Sequence, residues 1–358
     1  MPQIRLNDCE FHYTDQGSGQ PVLLLHGLGS SEQDWEYQIP ALSAHYRVLC
    51  LDMRGHGGTD KTGKGYSIAQ FARDCLAFIE AMGLEKPHIV GLSMGGMIAF
   101  QLATDAPEVP ASLTIVNSAP EVIPRRPAEL WMAGKRLFFA HVLPMSTIAK
   151  GLSRLLFPKP EQVNHRQTFI QRWTANHRRS YLASLRAIVG WGVSNQLDRI
   201  SCPVLVVSAD QDYTPVELKR EYVSRMGDAR LEVIADSRHA TPVDQPDAFN
   251  TLLLNFLSQV DSSRLGVSWR AWRNASATSS PGKRSMEIAL PGSHTLEICS
   301  IEGPDSPRWV NSIGSTKRFS LQLTAVGTLT PESPAARSFQ LSLRVNGTRP
   351  GRVGSTSK

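Results

Sequence analysis

Short, almost wholly apolar runs recur along this chain, and each stops at a glycine or a polar residue. Residues 21–25 (PVLLL) stop at His26-Gly27, 46–51 (YRVLCL) at Asp52, and 88–90 (HIV) at Gly91. Residues 112–116 (SLTIV) stop at Asn117, 204–207 (VLVV) near Asp210, and 231–234 (LEVI) before Asp236. A strand with one wet face alternates apolar and polar residues, whereas a strand covered on both faces does not. Such runs therefore predict a parallel sheet buried between two layers.

Helical patterns lie between several of the runs. Residues 68–82 place Ile68, Phe71, Ala72, Cys75, Leu76, Phe78 and Ile79 mostly three and four apart, as a helix does. Residues 94–104, 216–226 and 249–260 read as further helices, and 1–20 as a hairpin turning at residues 15–19. Strands alternating with helices predict an α/β fold with a doubly wound, mostly parallel sheet. The alternation stops between 119 and 200. Helical segments are expected there near 127–143, 145–156, 160–176 and 179–191, with no strand, as a helical insertion or cap. The expected organisation is a core of 1–118 and 201–261, the cap at 119–200, and a tail at 262–358. That tail holds 18 Ser, 9 Gly and 7 Pro in 97 positions, so it is expected to be disordered, with one possible hairpin at 319–323 and 339–345.

The net charge of +6 suggests nucleic acid until it is divided. Residues 1–261 carry 25 basic and 27 acidic side chains, and the tail supplies +8. The cap alone carries 13 basic and 4 acidic residues. Cap–core attraction accounts for that imbalance, and the alternative is a preference for anionic substrates. No nucleic-acid motif is present, and no apolar run approaches the roughly 20 residues of a membrane helix. Five scattered cysteines without CxxC, and no secretory pattern at the start, fit a cytoplasmic protein.

Gly91-Leu92-Ser93-Met94-Gly95 matches G-x-S-x-G. The pentapeptide alone is weak evidence, but here an apolar strand precedes it and a helix follows, as a nucleophile elbow requires. A serine hydroxyl needs a base, and the base needs an orienting acid. His239 follows an apolar run and so reaches the carboxyl edge of the sheet, where ligands bind in such folds. The acid is Asp210 or Asp212. Asp212 is favoured, because the strand must end before a loop can turn the carboxylate towards the histidine. The backbone N–H groups of Leu28, in His26-Gly27-Leu28-Gly29, and of Met94 are candidates for an oxyanion hole. Trp35 and Tyr213 are substrate-binding candidates, because both lie beside these loops. Leu130, Trp131, Leu137, Phe138, Phe139, Leu155 and Leu156 of the cap either pack helix on helix or line an acyl pocket.

Together with residues 52–59 (DMRGHGGT), these segments make residues 1–261 resemble the α/β-hydrolase superfamily, and within it the small esterases, enol-lactonases and cofactor-free haloperoxidases. The resemblance implies a serine hydrolase of the carboxylesterase type, acting on small or medium esters or lactones through an acyl-enzyme. It implies no metal or organic cofactor, and a structural role for residues 52–59. Perhydrolase or enol-lactonase chemistry on the same fold, and a non-catalytic ligand-binding protein, are the competing readings. Oligomeric state is not legible.

Overall fold

The apolar runs form the middle of an eight-stranded sheet in a computed structural model that describes residues 2–264 and the backbone of 283–290, 294–301 and 308–312. The strands are β1 (Gln3–Leu6), β2 (Cys9–Gly17), β3 (Pro21–Leu25), β4 (Arg47–Leu51), β5 (His88–Leu92), β6 (Ser112–Val116), β7 (Val204–Ala209) and β8 (Ala229–Ile234). Their order is β1-β2-β4-β3-β5-β6-β7-β8. Pairing is antiparallel for β1 with β2 and β2 with β4, and parallel for the rest. The N-terminal hairpin turns at Asn7-Asp8 and not at residues 15–19. β2 runs on through Asp15–Gly17 to pair with β4, so those residues are strand. Asn7 (φ 53°) supplies the left-handed turn conformation that an Asn tolerates.

Helices α1 (Gln38–Ser43), α2 (Ile68–Ala81) and α3 (Met94–Asp105) come before the insertion. The insertion holds α4 (Pro127–Val142), α5 (Met145–Leu156), α6 (Val163–Thr174) and α7 (Arg178–Ile188) between β6 and β7. Then follow α8 (Val216–Val223), α9 (Thr241–Asp244) and α10 (Pro246–Arg264). Local chemistry sets several starts. The Ser67 hydroxyl accepts from Gln70 N–H at 3.0 Å and caps α2. Pro127 opens α4 while the Glu129 carboxylate accepts from Arg125 and Arg126 N–H at 2.8 and 3.1 Å.

The period of two along each strand divides its side chains between two cores. Leu23, Leu25, Leu49, Leu51 and Ile89 pack with Phe71, Phe78 and Phe100 of α2 and α3. Val22, Leu24, Val48, Cys50 and Val90 pack with Leu42 of α1 and with Phe249, Leu253 and Leu257 of α10. Each such fully buried side chain contributes about 1.5–3 kcal/mol over leaving it in water. The insertion has its own smaller core, built from Ala140, Met145, Ala149, Trp173, Tyr181 and Leu185.

The chain divides at Val260 into two units. In the second, the described backbone forms three strands, β9 (Lys283–Leu290), β10 (His294–Ile301) and β11 (Arg308–Ser312), as an antiparallel sheet ordered β11-β10-β9. The expected hairpin at 319–323 and 339–345 lies outside the described residues, as does most of the stretch expected to be disordered.

Candidate active site

Ser93 stands between β5 and α3 with φ 54° and ψ −111°, a strained conformation for a residue with a side chain. Its neighbours explain how the strain is held. A Cβ on Gly91 would lie 2.3 Å from Gly95 O, and one on Gly95 would lie 2.1 Å from Leu25 O. Only glycine at both places lets the turn close against β3. Ser93 N–H donates to Val116 O at 2.9 Å, and Ser118 Oγ donates to Ser93 O at 2.7 Å. Backbone strain of this kind costs about 1–3 kcal/mol and persists only where such contacts enforce it.

His239 follows β8, and three contacts bring its loop to Ser93. The Asp210 carboxylate accepts from Asp236 and Ser237 N–H, both at 2.9 Å. Asn117 Nδ2 donates to His239 O at 2.9 Å and to Thr241 Oγ1 at 2.7 Å, while Asn117 Oδ1 accepts from Ala209 N–H at 2.7 Å. Asp212 Oδ1 lies 2.7 Å from His239 Nδ1. The two candidate acids therefore do different jobs: Asp210 holds the loop, and Asp212 meets the ring.

The other oxygen of Asp212 has a partner that sequence reading missed. Lys219 Nζ donates to Asp212 Oδ2 at 2.6 Å, and both side chains are fully buried. Lys219 also donates to Ser208 Oγ and Thr214 O, each at 3.0 Å. Thr214 donates to the same Asp212 oxygen. Burial alone would raise the Asp212 carboxyl, but the His239 ring and the Lys219 ammonium hold it below the usual carboxylate range. Burial lowers Lys219, and the Asp212 charge opposes that. In sequence Lys219 reads as one more charged residue on a short amphipathic helix, and Asn117 as a strand-ending polar residue.

Tyr213 stacks on His239 with ring centroids 4.1 Å apart, and its hydroxyl lies 2.5 Å from His239 Nε2.

A cavity of about 690 Å³ opens over Ser93. Leu28, Tyr213 and His239 line it from the sheet side; Leu155, Leu156, Phe157, Phe169 and Trp173 line it from the insertion. The Gly27 loop runs close, since a Cβ there would sit 3.7 Å from Ser93 Cβ. Met94 is the first residue of α3, where an N–H has no carbonyl of its own helix to donate to. Trp35 is a correction. It is fully buried against Phe249, with ring centroids 6.4 Å apart, and belongs to the core below α1 and not to the cavity wall. Of the apolar insertion residues considered, Leu155 and Leu156 reach the cavity, Leu137 packs in the insertion core, and Leu130, Trp131, Phe138 and Phe139 face outward.

The cavity charges are of both signs. Arg136 and Arg172 line it, with Asp34, Glu36 and Glu161. Arg172 is committed to Glu36, at 2.8 and 3.1 Å, and Lys159 reaches Asp236 at 2.5 Å, so part of the basic excess is spent holding insertion to core. Burial raises the Asp34 carboxyl above its usual range. The 52–59 turn is built as a brace. Asp52 accepts from Gly58 N–H at 2.8 Å and Glu32 N–H at 2.7 Å, and Arg54 is buried between Asp74 and Asp8 at 2.9 and 2.7 Å. Among the described residues no group of acidic, histidine and cysteine side chains is arranged to hold a metal, and no helix is long and apolar enough to cross a membrane.

Comparison with known proteins follows the same outline. The model of the alpha/beta hydrolase family matches residues 22–252. The chain is 28% identical over 282 residues to a putative carbamate hydrolase, RutD, of Azorhizobium caulinodans, covering 73% of this chain and 100% of that protein. It is 30% identical over 258 residues to the protein of the same description from Escherichia coli O7:K1, covering 67% of this chain and 91% of that one. The crystal structure of an enol-lactonase from Burkholderia xenovorans superposes with a TM-score of 0.67 at 25% identity, covering 72% of this chain and 100% of that one. With the elbow, the sheet order and these matches together, the chain belongs to the α/β-hydrolase family and is a hydrolase.

Proposed function

We propose that Ser93, His239 and Asp212 form a catalytic triad that cleaves carboxylic esters or lactones through an acyl-enzyme. The observation that carries this reading is the strained Ser93, held at the floor of a cavity it shares with a histidine whose other ring nitrogen meets a buried carboxylate. Ser93 Oγ attacks the acyl carbonyl carbon and its proton passes to His239 Nε2. Ionised Asp212 keeps the Nδ1 proton in place and stabilises the imidazolium. The N–H groups of Leu28 and Met94 stabilise the oxyanion, each such donor being worth about 10²–10³ in rate. The bond to the leaving oxygen breaks as His239 returns the proton to it. Water, deprotonated by His239, then releases the acid and Ser93.

The cavity supports a small or medium acyl group against Leu155, Leu156 and Phe169. The relatives described as putative carbamate hydrolases make carbamate the competing acyl class, since its carbonyl would pass through the same tetrahedral state. The deciding experiment is a panel of p-nitrophenyl esters, lactones and alkyl carbamates, with Ser93→Ala as control. Turnover of esters or lactones that vanishes in Ser93→Ala is the expected result. Near-wild-type turnover in that variant would sink the triad. Faster carbamate than ester cleavage would move the substrate class, and peracid formation from acetate and peroxide would move the reaction class.

A further inference from the structure

The face of α4 turned away from the insertion core is apolar where a solvated helix would be polar. Trp131, Phe138 and Val142 are 71%, 60% and 53% exposed. With Lys135 they follow a spacing of four, three and four residues, which is one stripe on a helix. Leu130, Met132 and Phe139 flank it and are also exposed. In α4 only Ala140 is buried. A contiguous exposed patch of this kind marks an interaction surface.

The surrounding charge says what would cover it. Glu121 and Glu129 are engaged by Arg125 and Arg126. Lys135, Arg136, Lys150 and Arg154 on α4 and α5 have no carboxylate partner among the described residues. A second copy docked on this stripe by two-fold symmetry would bring Lys135 and the unpaired cations of α4 and α5 towards their own copies. An anionic surface neutralises it, and aromatic residues with interspersed lysine suit a helix lying in a lipid interface. The 16 residues of α4 span roughly 24 Å, enough to lie on a bilayer and too short to cross one. We infer that α4 docks on the surface of an anionic lipid bilayer. Arg136 of the same helix and half-exposed Leu155 of α5 both line the cavity, so docking sets its rim beside the lipid. Apolar esters dissolved in the bilayer then have a short path to Ser93.

The test uses the full chain and sedimentation with lipid vesicles. Binding to phosphatidylcholine vesicles containing phosphatidylglycerol is expected, with little to phosphatidylcholine alone and less at high salt. The double variant Trp131→Gln/Phe138→Gln keeps every charge, including the basic residues of 262–358, and removes the apolar contact. Its partitioning should fall roughly tenfold or more, with an unchanged melting temperature and unchanged hydrolysis of a soluble ester. As a second readout, brominated lipid should quench tryptophan emission in the wild type and much less in Trp131→Phe, which still binds. Equal binding by the double variant would overturn the inference, because charge alone would then hold the protein. So would no binding at all, or a wild-type dimer that the variant splits, which would make a second copy the occupant.

Discussion

Lys219→Met tests whether the cation behind Asp212 is a structural necessity. Lys219 and Asp212 are both fully buried, with 2.6 Å between their charged atoms. Removing one member of such a pair leaves an uncompensated buried charge and costs about 3–5 kcal/mol. A domain of this size loses about 2–4 °C of melting temperature per kcal/mol, so the variant should melt roughly 6–20 °C lower at neutral pH. Lys219→Met/Asp212→Asn should recover part of that loss, because the stranded charge is gone. The sign with pH follows from the Asp212 shift. Its folded carboxyl lies below the unfolded value of about 3.9, so its pairing stabilises fully above that pH and is lost as pH falls through the folded value. Without Lys219 the carboxyl is depressed less, and acid unfolding should begin at a higher pH. Thermal melts of both variants from pH 3 to pH 8 provide the measurement. A shift below about 2 °C at neutral pH would refute the argument, since the pair would then contribute no more than an exposed one.

Tyr213→Phe removes the hydroxyl that meets His239 Nε2, the nitrogen proposed to take the proton of Ser93. One neutral hydrogen bond is worth about 0.5–1.5 kcal/mol, so fluorophosphonate labelling of Ser93 should accelerate roughly 2- to 12-fold; slower labelling would mean that the phenol positions His239 and does not compete with Ser93 for it. Asn117→Ala strips the acceptor from buried Ala209 N–H and the donor from the His239 loop. It should cost about 1–3 kcal/mol and lower kcat more than it raises KM, and an unchanged kcat would show that the loop holds itself. Gly95→Ala drives a methyl to 2.1 Å from Leu25 O. A loss above about 4 kcal/mol, or insoluble protein, is expected; a soluble variant with wild-type melting would mean that the elbow can open.

The parts of the fold that were legible are those whose cause is local. PVLLL and SLTIV declare strands covered on both faces, and their alternate residues do divide between the two cores. The glycines around Ser93 announce a backbone packed against its neighbours, and the contacts of Gly91 and Gly95 are with the turn itself and the adjacent strand. Trp35 was misread because closeness in sequence to the His26-Gly27 loop says nothing about direction. The turn at Glu32–Trp35 points its last side chain down towards α10, while Asp34, one residue earlier, lines the cavity. The end of β2 was misread for a different reason. A Gly-rich segment at 15–19 resembles a hairpin turn, and it is pairing with β4, at least thirty residues away, that keeps Asp15–Gly17 extended.

The two aspartates after β7 show where local reasoning stops. Asp210 and Asp212 lie two residues apart just past one strand, and the need for a turn after the strand favours Asp212 without showing what either one meets. What separates them is the partner each meets. Asp210 faces the amides of Asp236 and Ser237 at the end of the neighbouring strand, so its charge is spent holding that loop. Asp212 lies beyond the strand end, where the chain has turned, and Lys219 and Thr214 hold one of its oxygens. That leaves the other oxygen aimed at His239 with its plane fixed. A carboxylate that must orient an imidazole needs a fixed direction as well as a charge, and here the direction comes from a lysine on the next helix. Asp212 offsets the charge of the buried lysine, and the lysine, with Thr214, fixes the direction of Asp212. Each member of such a pair is legible only once the other is in place.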